Sequence, residues 1–154
     1  MNLEKFTEKA QEAIVNARQW AIRLDQQQVD GEHLALALVE QEEGLIPRLL
    51  WVLGVNPDDI AAELKKELER LPKVYGSAAS SVYASRRFNQ ILLTAEDRAK
   101  KLKDEYVSVE HIFLSMLKEN RTFTSDLLEG FGVTEDAFLD AMTKIRGNQR
   151  VTNQ

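Results

Sequence analysis

The chain has 154 residues, 44% of them hydrophobic and 29% charged, a composition that supports one packed domain and excludes a disordered chain. It contains no cysteine, which removes disulfides, thiolate metal sites and thiol nucleophiles together. The formal charge of -5 is unevenly shared: residues 1–70 carry eight Lys/Arg against fourteen Asp/Glu, and residues 71–154 carry twelve against eleven, so nucleic acid is not an expected partner.

No apolar run reaches the length of a membrane span and the N-terminus has no signal-peptide pattern, so a cytoplasmic protein with no membrane partner is expected. From Thr7 to Leu24, residues Ala10, Ala13, Ile14, Ala17, Ala21 and Leu24 recur at helical spacing, with Thr7 placed to cap the start. A short polar connection leads to Val29–Val39, whose cap would be Asp30 and whose Glu32 would lie near the unpaired N–H groups of the first turn. A third helix carries Leu45, Ile46, Leu49, Leu50 and Leu53, and Gly54 supplies the left-handed residue that ends it. The fourth opens on Asn56-Pro57, an N-cap followed by proline at the first helical position, and runs through Ile60, Leu64 and Leu68.

Residues 71–84, with Pro72, Gly76 and a Ser-Ala-Ala-Ser-Ser run, read as a linker, and beyond it the pattern repeats. The dipeptides Glu32-His33 and Glu110-His111 stand 78 positions apart, and the same offset relates Ala17 to Ala95, Ala21 to Ala99, Leu50 to Leu128, Gly54 to Gly132 and Asp58 to Asp136 without a gap. A fixed offset with apolar positions matched to apolar ones marks a duplicated unit. The second copy caps its first helix with Ser85 and its second with Ser108, and starts its fourth at Thr134-Glu135-Asp136. Its basic cluster Arg98, Lys100, Lys101 and Lys103 falls in the last turns of a helix, where cations favour the negative end of the dipole. No alternating strand pattern competes. The expected fold is all-α: two tandem four-helix repeats, eight helices, packed as one pseudo-twofold domain over 1–146, with repeat 1 at about 1–70, the linker 71–84 and repeat 2 at about 85–146.

Glu32-His33 and Glu110-His111 are the places where an enzyme reading could begin. A zinc helix needs two histidines one turn apart, whereas each of these helices has one and the chain has two. A histidine hydrogen-bonded to backbone near the buried face accounts for both, so no catalytic residue and no metal site is expected. There is no phosphate-binding glycine loop and no dinucleotide fingerprint, so no cofactor is expected in this domain. What remains is surface: Leu93 lies about 100° around the helix from the core position Leu92, Tyr106 and Val109 flank the start of the sixth helix, and Leu3 and Phe6 precede the first. They form either an exposed apolar groove bordered by Thr7, Asp104 and Glu110, or the packed seam between the copies.

The residues Phe6-Thr7-Glu8-Lys9-Ala10, Glu32-His33-Leu34, Leu49-Leu50 with Leu53-Gly54-Val55, and Tyr106 through His111 resemble the N-terminal domain of the Clp family of AAA+ unfoldases over essentially the whole chain. Arg70 through Gly76 looks like the inter-repeat linker of the ClpB disaggregases, and Arg146-Gly147 with Arg150-Val151-Thr152 like the run into their first ATPase ring, so 147–154 would begin a tether to an ATPase domain. Two features depart from the ClpB pattern: Asn148 stands where a second glycine is common, and Glu110-His111-Ile112 is also typical of ClpC. The resemblance implies a non-catalytic recognition module on a hexameric ATP-driven machine, with ATP in the missing domains. Its partners would be exposed hydrophobic segments of unfolded or aggregated polypeptides, contacted through Thr7, Asp104 and Glu110 with apolar help from Leu3, Phe6, Leu93, Tyr106 and Val109. The alternative is a docking platform for a folded adaptor, as in ClpC- or ClpA-type unfoldases.

Overall fold

In a computed structural model, which describes residues 3–75 and 81–146, the chain forms eight α-helices among the described residues, as the periodicity predicts. The central part of the linker and the expected tether at 147–154 lie outside the described residues. The helices of the first copy are α1 (Glu8–Arg23), α2 (Gly31–Val39), α3 (Leu45–Val52) and α4 (Pro57–Glu69), and those of the second are α5 (Arg86–Lys101), α6 (Val109–Lys118), α7 (Phe123–Gly130) and α8 (Glu135–Arg146). A short 3-10 turn, Leu3–Lys5, precedes α1.

The caps fall where side-chain chemistry places them. Thr7 accepts the amide of Ala10, Ser85 that of Phe88, and Asn56 that of Asp58 ahead of Pro57. Gly54 and Gly132 take φ of 77° and 79° just past α3 and α7, the left-handed turn that stops a helix without a Cβ penalty. Lys103 adopts φ 60° past α5, and Asp25 φ 58° past α1, so the duplication extends to backbone conformation.

The core is built around α2 and α6. Every residue of α2 is buried, as are Val109 through Met116 of α6. Helix α2 packs against α1, α3 and α4 of its own copy and against α5, α6 and α7 of the other, and α6 is surrounded correspondingly. On α1 a buried alanine stripe, Ala10, Ala13, Ala17 and Ala21, lets the backbones of α1 and α2 approach closely. Helix α5 fills the same role with Phe88, Ile91, Leu92, Ala95 and Ala99. Phe113 and Phe138 stack at 4.9 Å between centroids on the second-copy side.

One feature departs from the expected all-helical pattern. Strand β1 (Gln28–Val29) pairs in parallel with β2 (Tyr83–Ala84), so the last two residues of the linker are strand. A single bridge joins Phe6 to Val107. The amide of Ser85 donates to Val29 O at 3.0 Å, and that of Thr7 to Val107 O at 2.9 Å. Under the repeat offset these two bonds are the same bond: the segment before the first helix of each copy is hydrogen-bonded to the segment before the second helix of the other. Two-residue strands carry no alternation, which is why the sequence pattern does not show them.

Candidate functional site

The Glu-His pairs occupy the first turns of α2 and α6 and are structural. The amide of Asp30 donates to His33 Nδ1 at 2.9 Å, and the amide of Ser108 to His111 Nδ1 at 2.8 Å. Each histidine thus closes a capping box from the third helical position, a place more often held by Glu or Gln. With Nδ1 accepting, the neutral ring carries its proton on Nε2. That proton faces Gln26 Oε1 at 2.6 Å for His33 and Asp104 Oδ2 at 2.8 Å for His111. Gln26 and Asp104 are equivalent positions of the two copies. Gln26 passes the connection on, its Nε2 donating to Leu68 O at the end of α4. Burial lowers the His33 pKa, outweighing the nearby carboxylates of Asp30 and Glu32.

Arg87 of α5, which sequence reasoning did not single out, spans the seam between the copies. Its guanidinium donates from Nη1 to Glu32 Oε1 at 2.8 Å, and from Nε and Nη2 to the two carboxylate oxygens of Glu119 at 2.9 and 3.0 Å. Thr124 Oγ1, fully buried, donates to the other oxygen of Glu32 at 2.8 Å. Burial opposes the charge on Arg87, but the Glu119 and Glu32 carboxylates overcome it and hold its pKa above the ordinary value. Gly31 makes room for this arrangement, since a Cβ there would lie 2.6 Å from the guanidinium carbon. A sequence signal did exist, because the second copy has Val109 at the position of Gly31.

The expected client-binding residues separate by burial. Phe6 is 0% and Val109 3% exposed, so neither lines an open groove, and both belong to the packed seam. Glu110 is 3% exposed, and the Asp104 side chain is likewise 3% exposed and hydrogen-bonded to His111, so the carboxylates do not stand on an outer rim. Thr7 is half-buried and uses its hydroxyl to cap α1. Leu3 and Tyr106 are half-buried beside the Phe6–Val107 bridge, where Gln11 Nε2 donates to the carbonyls of Leu3 and Phe6 and holds the N-terminal arm down. Leu93 stands on the outer side of α5, 48% exposed. The structure therefore brings Leu3, Phe6 and Thr7 alongside Tyr106 and Val107, and leaves Leu93 as the large apolar side chain of the set that meets solvent. Among the described residues, no group of three or more His, Cys, Asp or Glu could hold a metal ion, and no helix is long and apolar enough to cross a membrane.

A doubled four-helix unit, locked by swapped backbone bridges and centred on two capping-box histidines, defines a class of helical repeat domain. The sequence profile of the Clp repeat (R) N-terminal domain matches residues 5–131, and the chain belongs to that family. It is 44% identical over 156 aligned residues to the chaperone protein ClpB of Nitratidesulfovibrio vulgaris, covering 99% of this chain and 18% of that protein. To the ClpB of Clostridium tetani it is 42% identical, with 100% and 18% covered. The chain thus spans less than a fifth of the length of these relatives. Among solved structures, the Hsp104 N-terminal domain of Candida albicans superposes with a TM-score of 0.82 at 22% identity, covering 97% of this chain and 96% of that one. The N-terminal domain of Arabidopsis thaliana ClpD gives 0.69 at 19% identity, covering 94% and 100%. These two likenesses show the shared fold.

Proposed function

We propose that the chain is the substrate-recognition domain of a ClpB-type, ATP-dependent protein disaggregase, binding exposed hydrophobic segments of unfolded or aggregated proteins and helping deliver them to the pore of a hexameric AAA+ ring in the cytoplasm. The observation that carries this reading is similarity to ClpB chaperones along the entire chain. Leu93 offers the open apolar contact of the proposed site, to which Leu3 and Tyr106, half-buried at the edge of the inter-copy bridge, are also assigned. Phe6 and Val109 support that surface from within, Thr7 holds the start of α1, and Asp104 acts through His111, with Glu110, as a positioning residue. A shallow apolar surface tolerates many client sequences, and several copies on one ring raise the effective concentration, so weak binding suffices. ATP would be bound by parts of the parent protein other than this domain.

Titration of the labelled chain with a permanently unfolded polypeptide, followed by NMR, tests the reading. The amides of Leu93, Tyr106 and Leu3 are expected to shift, and Leu93→Ser to weaken binding by about tenfold, on the order of 1.4 kcal/mol for the apolar surface lost. Silence at Leu93 up to millimolar polypeptide would sink the client site. Shifts seen only with a folded adaptor would instead select the adaptor-docking role of ClpC- and ClpA-type unfoldases.

A further inference from the structure

The chain has two tryptophans, both in the first copy. Trp20 on α1 already serves as a seat for cations: the Arg23 guanidinium carbon lies 4.9 Å and the Lys65 ammonium 5.6 Å from its ring centroid, and Lys65 also reaches Glu40 Oε2 at 2.7 Å. An ammonium held between an indole face and a carboxylate is a favourable arrangement, because the ring quadrupole and the anion attract it together.

At the end of α3, Trp51 repeats half of that arrangement. Its side chain is 59% exposed, and it lines a groove of about 410 Å³ with Pro47, Pro57, Glu40, Gln41 and Asp58. Asp58 is exposed in the first turn of α4. Gln41 is buried and its Nε2 donates to Lys9 O at 2.8 Å, while its Oε1 has no hydrogen-bond partner among the described residues. Lys65 is engaged by Glu40, and the other cation close in sequence is Arg48, exposed one turn before Trp51.

The second copy shows that the fold does not require this chemistry. The position of Trp51 holds Glu129, and that of Glu40 holds Lys118. The position of Gln41 holds Glu119, which is gripped by Arg87, a guanidinium from the same chain. In the first copy the counterpart of Arg87 is Lys9, whose ammonium goes to Glu42 O instead. One corner of the duplicated fold is filled by its own arginine, and the other presents an exposed indole and an exposed carboxylate on the acidic half of the chain.

We propose that the Trp51 groove is a docking site for an arginine or lysine side chain of a bound polypeptide, the cation lying on the indole face with Asp58 as its counter-charge. The site shares no residue with the surface around Leu93 and does not depend on the function assigned to that surface.

The test is NMR on the 154-residue chain, following the two indole Nε1–H signals during titration with an unstructured peptide of alternating arginine and leucine, and with its glutamate-for-arginine counterpart. The expected result is a saturable shift of the Trp51 signal with the arginine peptide alone. Trp51→Ala and Asp58→Asn should each weaken binding by about fivefold, on the order of 1 kcal/mol. Affinity should fall as salt rises. Asp58 is exposed, so its variant tests the carboxylate even where Trp51→Ala alters the fold. The proposal is overturned if Trp51 stays still at millimolar peptide, if the glutamate peptide binds equally, or if both variants bind unchanged. It is also overturned if the signal moves with protein concentration alone and sedimentation shows a dimer, which would make a second copy the occupant.

Discussion

His33 and His111 show how one residue type serves a duplicated helix start. Both take a backbone amide on Nδ1; Nε2 meets an amide oxygen at Gln26 for His33 and a carboxylate at Asp104 for His111, and Ser108 Oγ also lies 2.9 Å from His111 Nδ1. For His33 the consequence is a pH dependence with a definite sign. Its pKa in the fold is lowered from 6.5 by burial, so the unfolded chain binds the proton more tightly. The contribution of His33 to stability is therefore complete above pH 6.5 and is lost as pH falls from there toward the lowered folded value. Protonation would also remove the acceptor for the Asp30 amide. His33→Gln keeps a capping-box acceptor without a titrating ring. Urea midpoints of the two proteins, compared between pH 7.5 and 5.5, should show the parent losing more stability than the variant; parallel losses would refute the assignment. At Gly54, where a Cβ would meet nothing within 4 Å, Gly54→Ala isolates backbone strain and should cost about 1–2 kcal/mol in a denaturant melt.

At the scale of the elements, the helices were legible because caps, proline and glycine mark their ends locally. Thr7, Asn56-Pro57 and Gly54 act through neighbours within a few residues, so their chemistry is written next to its effect. The candidate site was less legible. Asp104 and Glu110 look like surface carboxylates in sequence, and their burial follows from how α5 and α6 meet the first copy. The contact between Arg87 and Glu32 joins residues 55 apart, with no spacing rule to announce it. That contact supports a prediction about how α5 and α2 are held together. Arg87→Ala leaves Glu32 and Glu119 largely buried without their guanidinium, and should cost about 2–4 kcal/mol, below the full penalty for a buried pair because Arg87 keeps 24% of its side-chain surface. Gly31→Ala drives a Cβ into the same guanidinium and should forfeit much of the same energy. The double variant should then fall well short of the sum of the singles in chemical denaturation. Additive losses would show that Gly31 and Arg87 act independently.

For the whole molecule, the repeat offset marks two four-helix units packed as one domain, and the packing makes each depend on the other. All nine residues of α2 are buried, which a helix at the edge of a lone four-helix unit cannot achieve, since part of its cover comes from α5, α6 and α7 of the other copy. Each fully buried leucine such as Leu34, Leu36 and Leu38 contributes about 1.5–3 kcal/mol, and separation returns part of that surface to water. The swapped bridges at Phe6–Val107 and Val29–Ala84 would also be lost, exposing backbone groups that the intact fold pairs. A fragment of residues 1–75 should therefore show reduced helicity by circular dichroism and no cooperative melt. Mixing it with residues 81–154 should restore both in a concentration-dependent way, because the missing cover for α2 lies on the second fragment. A cooperative transition in the first fragment alone would mean that the duplication preserved two autonomous folding units, with the seam an addition to them and not a condition of their stability.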